Sequence, residues 1–462
     1  MKIDVGCRLI ILNPTAEVLQ YCRERLVLDN PDYYKKEQMG KWTGDTPKTI
    51  CLYETVADAV WLPFGCLRDI WNMHPVQDDY TTDFAPVEPV SYTSRINLYP
   101  YQETAVEKAI NAKNGVLVMP CGAGKTQCGL EIIARLGGRA LWLTHTEDLL
   151  NQSMERAKAV LDIDGSFGKI TSGKVEIGTH ITFATVQTLA KKIDTAIFRN
   201  VWSVVIVDEC HHAAGSPTRL TQFYKVISKL AARYKFGLTA TPKRADRLEQ
   251  SMFYLLGAKV HEVSREEVKH TTCPIEVIKV ETGWMPDYDC VLMGDGTIDY
   301  NKVIDAMIHD EDRYQLVLGQ LHRLIQPTMV LANRVEYLQR MCDDYNEFCG
   351  KAVCLSGKGQ SKAAKAERKA ALQALNNGEI DVIFATYALA REGLDVPNLQ
   401  YVLFATPEQN ESTVEQAVGR VGRKAEGKEC GTVIDFVDDF GLYAGWYKKR
   451  QKCYKKLNAE VW

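Results

Sequence analysis

The octapeptide Met119-Pro120-Cys121-Gly122-Ala123-Gly124-Lys125-Thr126 gathers the residue types that a nucleoside triphosphate needs in one turn. It follows the apolar run Gly115 to Met119 and precedes the helical pattern Gln127 to Leu136. A triphosphate is held by backbone N–H groups curled around its oxygens, a lysine that reaches the β- and γ-phosphates, and a hydroxyl on the accompanying magnesium. Gly122 and Gly124 permit the curl, Lys125 supplies the charge and Thr126 the metal ligand. Met119 stands where the strict phosphate-loop pattern has a glycine, so a plain strand–turn–helix junction competes for this segment alone. A second segment decides between them. Val204 to Val207 reads as a buried strand running into Asp208-Glu209-Cys210-His211. An acid at such a strand end can hold Mg²⁺, and the next carboxylate can polarise the attacking water. ATP and Mg²⁺ are therefore the expected cofactors.

These residues need a sheet to carry them. Gly115 to Met119, Ala140 to Leu143, Ile181 to Ala184, Val204 to Val207 and Lys235 to Leu238 are short apolar runs, each before a helical or polar stretch. The rhythm returns at Thr328 to Leu331, Ala352 to Leu355, Val382 to Ala385, Tyr401 to Ala405 and Gly431 to Phe436. Unbroken β-branched runs predict strands buried on both faces of a parallel sheet, and two such sets predict two doubly wound α/β domains. Phe84 to Asn97, with Pro86 and Pro89, reads as a linker, and 269–307 as a β-rich connection. Residues 1–90 read as a small α+β accessory domain, with a helix expected from Thr15 to about Leu28. The remaining segments are 98–268, 308–440 and an aromatic, basic tail, 441–462.

The 462 residues carry 56 Lys plus Arg against 59 Asp plus Glu, a net charge of −3. Any affinity for nucleic acid must then come from a local basic surface. Fourteen cysteines are scattered without a Cys-x-x-Cys pair, which suits reduced thiols in a cytosol better than bridges or zinc. The N-terminus has no signal-peptide pattern and no apolar run is long enough to span a membrane. His145, His180, His261 and His322 stand isolated and read as structural.

The ordered motifs over residues 98–440 resemble those of superfamily 2 helicases and translocases. Leu98-Tyr99-Pro100-Tyr101-Gln102 resembles the adenine-reading entry, with Gln102 on the base. Cys121 to Thr126 resembles motif I, Leu143 to Thr146 motif Ia, Asp208 to His211 a DExH motif II, and Leu238 to Pro242 motif III. Phe183 to Thr188 resembles another strand-end motif of the first domain and Val330 to Asn333 motif IV. Ala385-Thr386 with Glu392 to Pro397 is similar to motif V, and Gln416 to Arg423 to motif VI. The resemblance implies tandem RecA-like domains and interdomain coupling through His211, Thr239, Thr241 and Gln416. It further implies nucleic-acid contacts at Thr144, Thr185 and Thr386, and nucleotide contacts at Gly393 and Asp395. Arg420 and Arg423, three apart on an expected helix, would face one side and act as arginine fingers.

Thr239-Ala240-Thr241-Pro242-Lys243-Arg244 resembles the group of XPB-type repair helicases, restriction-enzyme motors and phage recombination helicases, which favours DNA over RNA. The expected activity is ATP-dependent unwinding or translocation on single-stranded, duplex or branched DNA. An ATP-gated clamp that recruits a nuclease or replication partner is the alternative, and an RNA helicase the next. The tail Trp446 to Lys456 interleaves aromatics and cations, and could lie along nucleic acid or dock on the second domain.

Overall fold

The computed structural model describes residues 1–84, 89–198, 200–213, 221–240, 242, 248–294, 296–324, 327–355, 362–391, 396 and 398–462. The chain forms two compact units, Met1–Ser264 and Arg265–Trp462.

The first unit contains an eight-stranded sheet. Its order is Lys174–Glu176, Phe167–Thr171, Ile181–Thr185, Ala140–Thr144, Val204–Asp208, Tyr234–Thr239, Asn114–Val118, Lys259–Glu262. Only the Lys174–Glu176 edge runs antiparallel to its neighbour. All five apolar runs expected here are strands; Ala140–Thr144, Ile181–Thr185 and Val204–Asp208 are buried throughout, and Tyr234–Thr239 at every residue but Tyr234. A parallel sheet brings its strand ends to one edge, where the helices begin.

The second unit carries a seven-stranded sheet, parallel in every pairing. Its order is Ala352–Leu355, Val382–Thr386, Thr328–Ala332, Tyr401–Phe404, Gly431–Val437, Ile275–Glu281, Glu460–Val461. Successive residues alternate between two cores: Met329, Leu331, Ile383 and Phe404 on one face, Val330, Phe384, Leu403 and Phe436 on the other. Two covered faces explain why these strands are apolar without alternation.

Two segments differ from their sequence reading, and the tail takes one of its two. Within 84–97, expected to link, Tyr92–Ser94 pairs with Leu161–Ile163, and Pro89 bridges Gly138. Within 269–307, expected to connect, Ile275–Glu281 is an interior strand of the second sheet, because Val277 buries fully against Val433 and its neighbours. The tail is integral too. Its helix Gly441–Lys456 buries Tyr443, Arg450 and Tyr454, and Arg450 Nε donates to Asp435 at 2.8 Å, while Tyr454 OH donates to the same carboxylate at 2.6 Å. A buried Arg450 needs that carboxylate, so the basic run is divided between a docked face and a solvated one. A second buried pair, Arg313 Nε and Asp438 Oδ1 at 2.6 Å, ties the helix Glu311–Leu321 to the end of Gly431–Val437.

The N-terminal residues form a five-stranded sheet in the order Glu54–Val56, Ala59–Pro63, Arg8–Leu12, Lys2–Val5, Tyr80–Thr82. Thr15 caps the expected helix by accepting from Val18 N, but the helix ends at Arg25 and gives way to the strand Val27–Asp29. The small sheet rests on the large one. Phe253 and Tyr254 carbonyls stand where a Gly65 β-carbon would be, and Leu248 enters the N-terminal core. Lys235, with no exposed surface, donates to the Cys7 carbonyl at 3.3 Å and sits 4.1 Å over the Phe64 ring. No carboxylate compensates it there, and burial pushes its ammonium down to about 7, against a small opposing effect of Cys7.

The unfolded lysine keeps its proton up to its ordinary value near ~10.5, so the unfolded chain binds more protons than the folded one between there and about 7. Stability linked to this group therefore rises with pH across that window. Lys235→Met should remove the dependence. Urea unfolding at pH ~6.5 and ~9.5 is expected to show the variant gaining most, relative to wild type, at the lower pH. An equal difference at both would contradict a buried, unpaired ammonium.

Candidate functional site

Asn114–Val118 delivers the chain to the phosphate loop at the carboxyl edge of the first sheet. Gly122 and Gly124 take left-handed φ values of 82° and 77°. A β-carbon on Gly124 would also stand 2.3 Å from Gln102 Nε2, so glycine is required there by dihedral and by space. Gly124 caps the helix Lys125–Leu136, whose first N–H groups lack helical acceptors and suit an anion. Gln102 is buried. It donates to the Ala123 carbonyl at 2.9 Å and accepts from Tyr99 N–H at 2.9 Å. The residue expected to read adenine thus also braces the loop.

Lys125 Nζ lies 3.6 Å from Glu209 Oε1. Glu209 follows the strand Val204–Asp208 in a left-handed turn, φ 47°, and its N–H donates to Asp208 Oδ1 at 3.0 Å. Burial, and then the neighbouring Glu209 charge, push the Asp208 carboxyl above the usual range. Burial opposes ionisation of Glu209 as well, but Lys125 and His211 outweigh it and hold that carboxyl low. Lys125 is likewise desolvated, yet Glu209, Cys121 and Asp208 together raise its affinity for the proton. The cluster keeps one cation and one firm anion, and leaves Asp208 short of positive charge. A carboxylate plus the half-buried Thr126 hydroxyl, beside a loop built for phosphates, is the sparse donor set through which Mg²⁺ is held with substrate oxygens. Among the described residues no cluster of three or more His, Cys, Asp or Glu could cage a metal.

His211 Nδ1 stands 3.1 Å from Thr239 Oγ1 and 3.3 Å from Glu209 Oε2. Two residues expected to couple the domains therefore meet beside the carboxylate. Thr144 and Thr185 are register partners at adjacent strand ends. Their hydroxyls serve the turns that follow: Thr144 donates to the Thr146 carbonyl at 2.9 Å and Thr185 to Thr188 Oγ1 at 3.0 Å. In the second unit Thr386 similarly accepts from Leu389 N at 3.3 Å. Gln416 is half-buried on the helix Glu411–Val421. Thr241, Gly393 and Asp395 lie outside the described residues.

The two arginines do not share a helical face. The helix closes at Gly422, whose carbonyl accepts from Cys273 N at 2.9 Å, and Arg423 continues into a bridge with Thr272. That backbone pairing ends the helix one residue after Arg420. Arg420 is buried and donates to the Ala390 carbonyl. Sequence reasoning missed Glu415, which is buried between Arg265 and Lys456 within the second unit. Its partners lie 150 and 41 residues away, so no local pattern announced it.

Two family models match the chain. The type III restriction enzyme res-subunit model covers residues 95–244 and the helicase conserved C-terminal domain model residues 313–425, together more than half of the sequence. The chain belongs to superfamily 2 of the helicases. As such a helicase it is an ATP-hydrolysing enzyme that binds nucleic acid. It is 26% identical over 398 residues, 81% of the chain and 70% of the relative, to a mimivirus protein with the provisional name ATP-dependent RNA helicase L396, from Acanthamoeba polyphaga mimivirus. It is also 26% identical, over 72% of the chain and 80% of the relative, to DNA 3'-5' translocase XPB2 of Sulfurisphaera tokodaii. Among solved structures, the ATP-dependent Type ISP restriction-modification enzyme LlaBIII bound to DNA aligns with TM-score 0.57 at 16% identity. That match covers 79% of this chain and 31% of the larger protein, and it establishes the tandem RecA-like fold.

Strain at a left-handed alanine is about 1–3 kcal/mol. Gly124→Ala should weaken binding of a fluorescent ATP analogue about tenfold or more. Adding Gln102→Ala relieves the collision but not the dihedral, so the double variant should recover only part of the affinity. Full recovery would mean that space alone demands the glycine.

Proposed function

We propose that this helicase uses ATP and Mg²⁺ to unwind or translocate along DNA, with hydrolysis stimulated by the nucleic acid. The Lys125–Glu209–Asp208 cluster, joined through His211 to Thr239, carries this reading. Lys125 is paired with Glu209. Entry of the triphosphate gives Lys125 a stronger partner in its phosphates and releases Glu209 to accept a proton from water, a role its lowered proton affinity allows it to begin ionised. Asp208 and Thr126 would hold Mg²⁺, which offsets phosphate charge when bound. Arg420 and Arg423 of the second unit supply further positive charge in the transition state, as the motif VI resemblance implies. Gln102 holds the loop in shape and, by resemblance, reads adenine, and Gly393 and Asp395 belong to the nucleotide site by resemblance alone.

DNA is preferred because motif III opens with Thr239 and motif II is of the DExH form, and because the archaeal relative is named a DNA translocase. The mimivirus relative's name supports RNA as the second reading. A nuclease or replication partner and a cytoplasmic setting go with the DNA reading; all fourteen cysteines are free thiols.

The test compares single-stranded DNA, duplex, forked DNA and RNA as activators of ATP turnover, together with displacement of a labelled strand. Turnover stimulated most by forked DNA, with displacement, is expected. Stimulation by RNA alone selects the second reading, and ATP-dependent binding with neither displacement nor movement of a roadblock would identify a clamp. Lys125→Ala should reduce turnover by orders of magnitude, and Glu209→Gln should retain ATP and remain on DNA without hydrolysing it. Arg423→Ala should slow turnover by ~10³-fold while changing nucleotide affinity far less. Near-normal stimulated turnover in both Arg420→Ala and Arg423→Ala would remove these arginines from the mechanism.

A further inference from the structure

His145, read from the sequence as isolated, is one end of a chain of three imidazoles in tilted contact. Its ring centroid lies 4.4 Å from that of His212, and His212 lies 4.2 Å from His211, with interplanar angles of 43° and 40°. Phe223 approaches His212 as well, at 6.3 Å and 18°. His211 in turn faces Glu209 and Thr239. At the far end, the His145 carbonyl accepts from Gln187 Nε2. Gln187 lies in the first turn of the helix Val186–Lys192 that follows Thr185, and His145 follows Thr144 directly.

Two strand-end turns, each expected to meet nucleic acid, thus converge on His145. From there ring contacts lead without interruption to the carboxylate that activates water. Thr144 and Thr185 have their hydroxyls occupied within these turns, so a ligand that reshapes either turn must move the backbone that carries His145 or its Gln187 anchor. Rings in close tilted contact have little freedom to turn independently, and a displacement of one reaches the next.

We propose that His212 and His145 are positioning residues which transmit the state of the nucleic-acid-binding turns to Glu209 through His211. The inference rests on the DNA-stimulated ATPase reading above. His212 touches neither nucleotide nor reacting water in this scheme. Its work is to fix the plane of His211, and His145 fixes the plane of His212.

The experiment measures kcat and KM for ATP with and without saturating forked DNA in wild type, His145→Ala, His212→Ala, the double variant and His212→Phe. Melting temperatures establish that each variant is folded. Each alanine variant should lose about tenfold of its DNA stimulation, within the range of ordinary coupling between sites, while unstimulated kcat and KM stay near wild type. The double variant should lose no more than the worse single, because both changes break one path. His212→Phe keeps a flat ring and should retain most of the stimulation, with no new pH dependence between pH ~6 and ~8. A purely structural role would instead lower stimulated and unstimulated rates together, and phenylalanine would give no selective rescue of coupling. Stimulation intact in both alanine variants, or losses that add in the double variant, would overturn the relay alone. A wild type that no nucleic acid stimulates would overturn the functional reading and the relay with it.

Discussion

A half-buried cation, a half-buried carboxylate and a buried one must satisfy one another, and much of the first unit follows from that requirement. Charges without water are tolerable only when paired at close range. Lys125 and Glu209 come from strands that are not neighbours: Tyr234–Thr239 lies between Asn114–Val118 and Val204–Asp208. The loop after one strand and the turn after the other must therefore lean toward each other over the end of the middle strand. The left-handed backbone at Glu209 makes the lean on one side, and the glycines at 122 and 124 make it on the other. Thr239, at the tip of the strand between them, is then bound to meet whatever follows Glu209, and His211 does.

This arrangement was legible because each part is local. A phosphate loop is eight consecutive residues between a strand and a helix, and the acids follow an unbroken apolar run. Chemistry compressed into a few residues leaves its mark whatever the rest of the chain does. The ten apolar runs were legible for a related reason, since a strand covered on both faces has no freedom to place polar residues.

What stayed hidden depends on partners distant in sequence. The strand Ile275–Glu281 looked like connection because Glu276, Lys279 and Glu281 interrupt it; only its place beside Gly431–Val437 makes it interior. Arg450 looked like one of a basic run until Asp435 was found beneath it. The end of the helix before Arg423 is set by Cys273, about 150 residues earlier in the chain. Helical spacing alone could not reveal that Arg420 and Arg423 leave it on different backbone conformations. Gln102 was legible as a residue of the site, while its bond to the Ala123 carbonyl, 21 residues away, was not.

The strand Tyr234–Thr239 joins two features already described. Near its beginning Lys235 grips the N-terminal sheet at the Cys7 carbonyl, and at its end Thr239 meets His211. At the usual rise of a strand those points are about 13 Å apart along one hydrogen-bonded rod, held on both flanks by the strands that carry the phosphate loop and the acidic turn. The N-terminal sheet is also stitched through Tyr92–Ser94 and the Pro89 bridge that follow it. It cannot trail on a tether. Any force met by that small sheet is borne by the same girder that ends at the hydrolytic centre, so a mechanical load and the chemistry share a single beam.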